Sequence, residues 1–274
     1  MHTISNRCRV LISVTLALGK RGITMILYKY VSFECGCKIL NDKTIGFSNP
    51  CDFNDPFEMA GGHGVLPTNS AFFPLVLKSL MERYAILSLT RSALNPLMWA
   101  HYTEKHVGFV IGWDVNAAGF TDETKNLIPA QHGNVIYTTT RPNHTQLGQS
   151  APMKYDQEYA FRPELFEKLQ RLFLYKAMCW SYEEEVRIIK CVLGENLEKI
   201  PSGPLKKIEV DSRPIYLASF PPEAIKEIYL GVDNPFVTHK KSPDILQSWK
   251  NSAEIRECSL TPDSWAMATS EYSF

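Results

Sequence analysis

Trp180-Ser-Tyr-Glu-Glu-Glu-Val-Arg-Ile-Ile-Lys190 places three carboxylates at the mouth of a segment that then reads as a buried strand. A strand beginning near Glu183 alternates its faces, so Glu183, Glu185 and Arg187 share one side while Val186 and Ile188 share the other. Two carboxylates so spaced lie roughly 7 Å apart. A core strand has no packing reason to carry them, which makes the pair a candidate site. The plain alternative is a solvated strand start in which Arg187 neutralises a neighbour.

Upstream of this stretch, Pro163 heads an amphipathic pattern in which Leu165, Phe166, Leu169, Leu172, Phe173, Ala177 and Trp180 recur at helical spacing. It predicts one helix delivering the chain to the glutamate-rich strand. Further strands are expected at Met25–Tyr30, Thr44–Ser48, Tyr84–Thr90, Gly108–Trp113, Val135–Tyr137 and Ile225–Leu230. Helices are expected over about 31–40, over Ala71–Arg83, and from Asn95-Pro96 to about His106. Residues 138–160 read as an irregular loop. Strands cluster rather than alternating strictly with helices, which predicts a single α+β domain with a mixed, mostly antiparallel sheet and flanking helices.

The core domain is expected over residues 25–235, followed by a charged helical tail over 236–274. Residues 1–24 read as an extra or disordered leader. Arg7 and Arg9 precede an apolar run, Val10 to Leu18, that is too short to span a bilayer. Lys20-Arg21 then stands where a small-residue cleavage site would be expected, and Met25 is the better start. No later segment reads as a membrane span.

Lys+Arg and Asp+Glu both number 29, so no overall field draws the chain to nucleic acid or an anionic membrane. The seven cysteines form an odd set without a disulfide framework, and reduced thiols in a cytoplasmic protein are expected. Cys35-x-Cys37 with Cys51 lacks a second knuckle, so no zinc site is assigned.

Met98-Trp-Ala-His-Tyr-Thr-Glu-Lys-His106 is the aromatic and histidine centre. His101 and His106 are five apart, whereas one helix face pairs residues three or four apart, so a shared metal is not expected. Trp99, Tyr102 and His106 share a face, and such a stripe is more often core than cofactor wall. Asn54-Asp-Pro-Phe-Glu58 reads as a capped helix start, with Asp55 as N-cap, Pro56 first and Glu58 closing a capping box. Ser88-x-Thr90 ends a strand with two hydroxyls. Walker, dinucleotide-binding and zinc-protease motifs are absent from the sequence.

Taken in order, several pieces resemble a bacterial family catalogued as domain of unknown function 2971. They are Leu27-Tyr-Lys-Tyr30, Thr44–Ser48, Phe53–Glu58, Met98–Tyr102 with His106-Val-Gly108, and Trp180–Arg187. The resemblance runs from about residue 27 to Gly231, where Ile228-Tyr-Leu-Gly231 is its weakest part, and it implies no activity by itself.

Glu183-x-Glu185-Val186 also resembles the E-x-E-V element of ADP-ribosyltransferases. Those enzymes carry Arg or His on an early strand and a Ser-Thr-Ser-like motif on a middle one. Here Lys29 or Tyr30 stands at the first position, and Ser88-Leu-Thr90 matches the second incompletely. The resemblance implies NAD as substrate. Glu185 would stabilise the ribosyl cation and hold a ribose hydroxyl, while Glu183 would orient or deprotonate the acceptor. Tyr30 or Tyr102 would stack on nicotinamide and Lys29 would meet the pyrophosphate. Ser88, Thr90 and His101 complete the candidate cofactor contacts. The partner would be a macromolecular acceptor, protein or nucleic acid, in a toxin or phage-defence setting.

Two rival readings come from the residues. One is a metal-dependent nuclease or hydrolase using Asp55, Glu58, His101 and Glu185. The other is a non-enzymatic domain that binds a ligand or partner through the aromatic–histidine helix.

Overall fold

In the computed structural model, the residues described are 25–53, 55, 57, 73–140, 158–194, 196–239 and 243–274. In chain order the elements are β1 (Ile26–Val31), α1 (Phe33–Asp42), β2 (Thr44–Ser48), α2 (Phe73–Met81), β3 (Tyr84–Thr90) and α3 (Pro96–Tyr102). There follow β4 (Phe109–Asp114), β5 (Ile136–Thr138), α4 (Phe166–Phe173), β6 (Tyr175–Ala177), β7 (Glu185–Cys191), β8 (Lys206–Val210) and β9 (Arg213–Ser219). The chain closes with β10 (Ile225–Leu230), α5 (Pro235–Thr238), α6 (Asp244–Gln247), β11 (Glu254–Leu260) and β12 (Met267–Glu271). The expected α+β architecture with a mostly antiparallel sheet is what the chain adopts.

The main sheet runs β12-β11-β10-β4-β1-β3-β2-β9-β8, with β7 paired to β3. Among the described residues, only β10 and β11 pair in parallel within it. β7 takes one whole edge of β3, from Tyr84↔Cys191 to Thr90↔Glu185. The other edge of β3 is divided. β1 meets it only at Tyr28↔Thr90, and β2 only at Ser48↔Ile86. The sheet therefore splits beside β3, and the split positions the candidate site.

Strand alternation explains the layering. Leu27, Leu87, Leu89, Val186 and Ile188 face one continuous core that also takes in Phe47, Trp113 and Trp249. The opposite face carries two separate cores. Ile86 and Ile189 pack with Leu169 and Phe173 of α4, whereas Tyr30 and Val110 pack with Met98 and Trp99 of α3.

Three expectations need correction. The helix predicted over residues 163–180 stops at Phe173; β6 follows, then a 3-10 turn at Met178–Glu183. β6 pairs with β5, far away in sequence, and that pairing overrides the helical periodicity. The helix predicted to reach His106 ends at Tyr102, after which Glu104, Lys105 and His106 hold φ of 53°, 58° and 69° in the left-handed region. Residues 236–274 are not a helical tail: β11 and β12 extend the sheet beyond β10.

The leader, the Gly61–Gly64 loop and most of the loop over 138–160 lie outside the described residues. So do Pro56 and Glu58 of the proposed capping box, although Asp55 Oδ1 does accept from Phe57 N at 2.9 Å. No helix among the described residues is long and apolar enough to cross a membrane.

Candidate functional site

The site grows from a break in strand alternation. Glu183 ends the 3-10 turn rather than opening the strand, and Glu184 follows in the left-handed conformation at φ 45°. A non-glycine residue there costs on the order of 1 kcal/mol and persists when its surroundings enforce it. The expected two-residue spacing on one strand face is thereby replaced. Both carboxylates converge on Lys176, whose Nζ lies 2.6 Å from Glu183 Oε2 and 3.1 Å from Glu185 Oε2.

Glu185 and Arg187 do share a strand face as expected. Arg187 Nε donates to Glu185 Oε1 at 2.8 Å and Nη2 donates to Oε2 at 3.0 Å, while Nη1 donates to Phe173 O at 2.6 Å. Both residues are buried, at 6% and 1% exposure. The solvated-strand-start reading therefore fails, although Arg187 does neutralise its neighbour. Burial raises the Glu185 carboxyl pKa, but Arg187 and then Lys176 outweigh it and hold the group down at about 2.

The backbone of Glu185 is fixed from both sides. Glu185 N donates to Tyr137 Oη at 2.9 Å, and Val135 N donates to Glu185 O at 3.1 Å. Next along, Arg187 N donates to Gly133 O at 2.8 Å. A Cβ on Gly133 would stand 2.0 Å from Arg187 O, so only glycine admits this approach.

Where β1 and β3 part, a pocket of about 180 Å³ opens at the seam of the two smaller cores. Its walls include Lys29 and Tyr30 of β1, Ser88 and Thr90 of β3, Tyr102 of α3, and Lys176, Glu183 and Glu185. All the candidates for the NAD reading except His101 thus line one pocket, whereas Asp55 of the metal-dependent reading is not among its lining. His101 is exposed and packs edgewise on Tyr102, with ring centroids 6.4 Å apart. Trp99 is buried core, with His106 stacked on it at 6.1 Å.

The polar groups of the pocket are mostly committed. Tyr102 Oη donates to Glu183 Oε1 at 2.5 Å. Burial, followed by that carboxylate, raises the Tyr102 pKa. Tyr30 Oη donates to Ser92 O at 2.9 Å. Asn95 ties α3 to the glutamate turn, with Nδ2 donating to Tyr182 O at 2.7 Å while Oδ1 caps the helix. Lys29 differs: Nζ donates to Ser88 O at 2.9 Å and has no carboxylate partner among the described residues. Burial lowers its pKa, against weaker opposing effects of Cys35, Glu185 and Glu183.

Lys176 is the central residue that sequence reasoning missed. Inside an apparent amphipathic helix, one lysine reads as solvated face. Only its spacing of seven and nine residues from two glutamates could have drawn notice.

The metal-dependent reading finds little to build on. No group of three or more His, Cys, Asp and Glu residues with metal-binding geometry occurs among the described residues. Glu185 already faces two cations, and a third would be repelled. Glu58 lies outside the described residues.

No curated protein and no solved structure matches the chain. Residues 98–188 match a family described as protein of unknown function (DUF2971), a stretch running from α3 into β7 that carries Tyr102, Lys176, Glu183, Glu185 and Arg187.

Proposed function

We propose that the pocket is the active site of an NAD-consuming enzyme of ADP-ribosyltransferase type, which passes ADP-ribose to a macromolecular acceptor. One observation carries this reading. β1, β3 and β7 lie side by side, and they bring Lys29 and Tyr30, Ser88 and Thr90, and Glu185 to one pocket. The sequence resemblance alone implied an early, a middle and a late strand element, with nothing to say that they would be neighbours.

The pocket's size limits what it encloses. Cavities near 150 Å³ admit a single benzene-sized ring, and sites that bury whole drug-sized ligands start at about 300 Å³. The nicotinamide end of NAD fits such a space, and the diphosphate and adenosine would lie outside it. Lys29 would then face the ring's carboxamide rather than the pyrophosphate.

As the nicotinamide–ribose bond breaks, its electron pair leaves with the ring and positive charge develops on the sugar. Glu185, kept ionised by Arg187, is the carboxylate to face that charge. Lys176 would move off Glu185 to admit the sugar while Arg187 stays. Glu183 would take the acceptor's proton as the new ribose bond forms.

The test is transfer of label from NAD carrying a labelled adenylate moiety into protein or nucleic acid, with Glu183→Gln beside the wild type. Label should become covalently attached with wild type, whereas in Glu183→Gln transfer should fall more than nicotinamide release. Absence of both transfer and release at millimolar NAD would refute the proposal.

A further inference from the structure

The pocket wall holds donor protons that no acceptor takes up among the described residues. Each carboxylate oxygen of Glu183 and Glu185 already accepts from Tyr102, Lys176 or Arg187. With the Ser88 hydroxyl hydrogen-bonded to Glu185, two groups on the wall still have protons to give. Lys29 Nζ spends one on Ser88 O. Thr90 Oγ1, on a residue only 3% exposed, accepts from Ser92 N at 3.4 Å, and its own hydroxyl proton has no acceptor among the described residues.

The charges point the same way. Lys176 and Arg187 offset Glu183 and Glu185, which leaves Lys29 as the unmatched charge of the site. Tyr28, Tyr30, Phe53, Met98 and Tyr102 supply flat or apolar wall, and the volume admits one ring.

We infer that the pocket binds a small one-ring aromatic carboxylate, whose carboxylate accepts from Lys29 and Thr90 while its ring lies against the tyrosines. A phosphate group would lack the ring that the aromatic wall fits. The inference goes beyond the NAD reading and does not depend on it. A carboxylate of this kind would occupy the space otherwise taken by nicotinamide.

Calorimetric titration of the full chain with benzoate and with benzamide separates charge from ring. Benzoate should bind saturably at one site, roughly tenfold or more tighter than the neutral amide, as a charge-assisted hydrogen bond provides. The preference should vanish in Lys29→Met and weaken in Thr90→Val, each checked for its melting transition. In the wild type, benzoate affinity should fall as alkali removes the Lys29 proton, whether or not the variants fold. Equal affinity for the amide, no saturable benzoate binding, or a preference that survives in folded Lys29→Met would overturn the inference.

Discussion

Glu185 and Arg187, two residues apart on β7, are joined along one edge of the guanidinium, at 2.8 Å from Nε and 3.0 Å from Nη2, with neither side chain open to water. A buried pair of this kind adds little net stability over an apolar substitute, yet breaking it strands a charge. Arg187→Met should therefore cost about 3–5 kcal/mol by urea unfolding. Made in a Glu185→Gln background, the same change should cost much less. Equal costs in the two backgrounds would mean that the pair is not coupled.

Acid should unfold the protein through Glu185. Its carboxyl sits at about 2 in the fold against an ordinary 4.5, so its contribution is full above about pH 4.5 and is lost as pH falls toward 2. That contribution is on the order of 3 kcal/mol. Stability curves of wild type and Glu185→Gln should converge as pH drops through that window. Parallel curves would count against the assignment.

Lys190 gives the opposite limb. Its Nζ donates to Lys125 O at 3.0 Å and Ser202 O at 2.8 Å, and burial lowers its pKa to about 8. The unfolded chain keeps this proton up to the ordinary 10.5, so a penalty present below pH 8 is relieved as pH rises from 8 to 10.5. Relative to Lys190→Met, the wild type should gain stability across that window, measured by unfolding at each pH. A constant difference between them would contradict the buried-ammonium assignment.

Gly133→Ala should damage the site without touching a candidate residue. Its Cβ would meet the Arg187 carbonyl at 2.0 Å, a backbone clash that cannot rotate away. Overpacking of this kind costs about 1–3 kcal/mol or more. Thermal unfolding should show the loss, and ligand binding at the pocket should weaken with it. A variant with unchanged stability would mean that the segment before β5 does not brace β7.

The parts of the fold legible in sequence were those whose pattern is local. Tyr84–Thr90 and Ile225–Leu230 form strands over the predicted residues because short segments rich in apolar and aromatic residues, bounded by turn signals, have few alternatives. β6 was hidden because three residues paired to a distant strand cannot outweigh an apolar helical period in their own sequence. β11 is hidden for a different reason: it pairs in parallel with β10 across a long connection, which no local pattern announces. At the site, the glutamates were legible as carboxylates without a packing reason. Their actual arrangement was not, because it turns on the left-handed Glu184 and on Lys176.

The role of Glu185 is tested most directly by nicotinamide release from NAD by the full chain, with Glu185→Gln and Glu183→Gln alongside and the melting transition of each variant recorded. Wild type should release nicotinamide, and folded Glu185→Gln should not, with Glu183→Gln retaining more release than transfer. Wild-type release persisting in folded Glu185→Gln, or no release by wild type at millimolar NAD, would contradict that role.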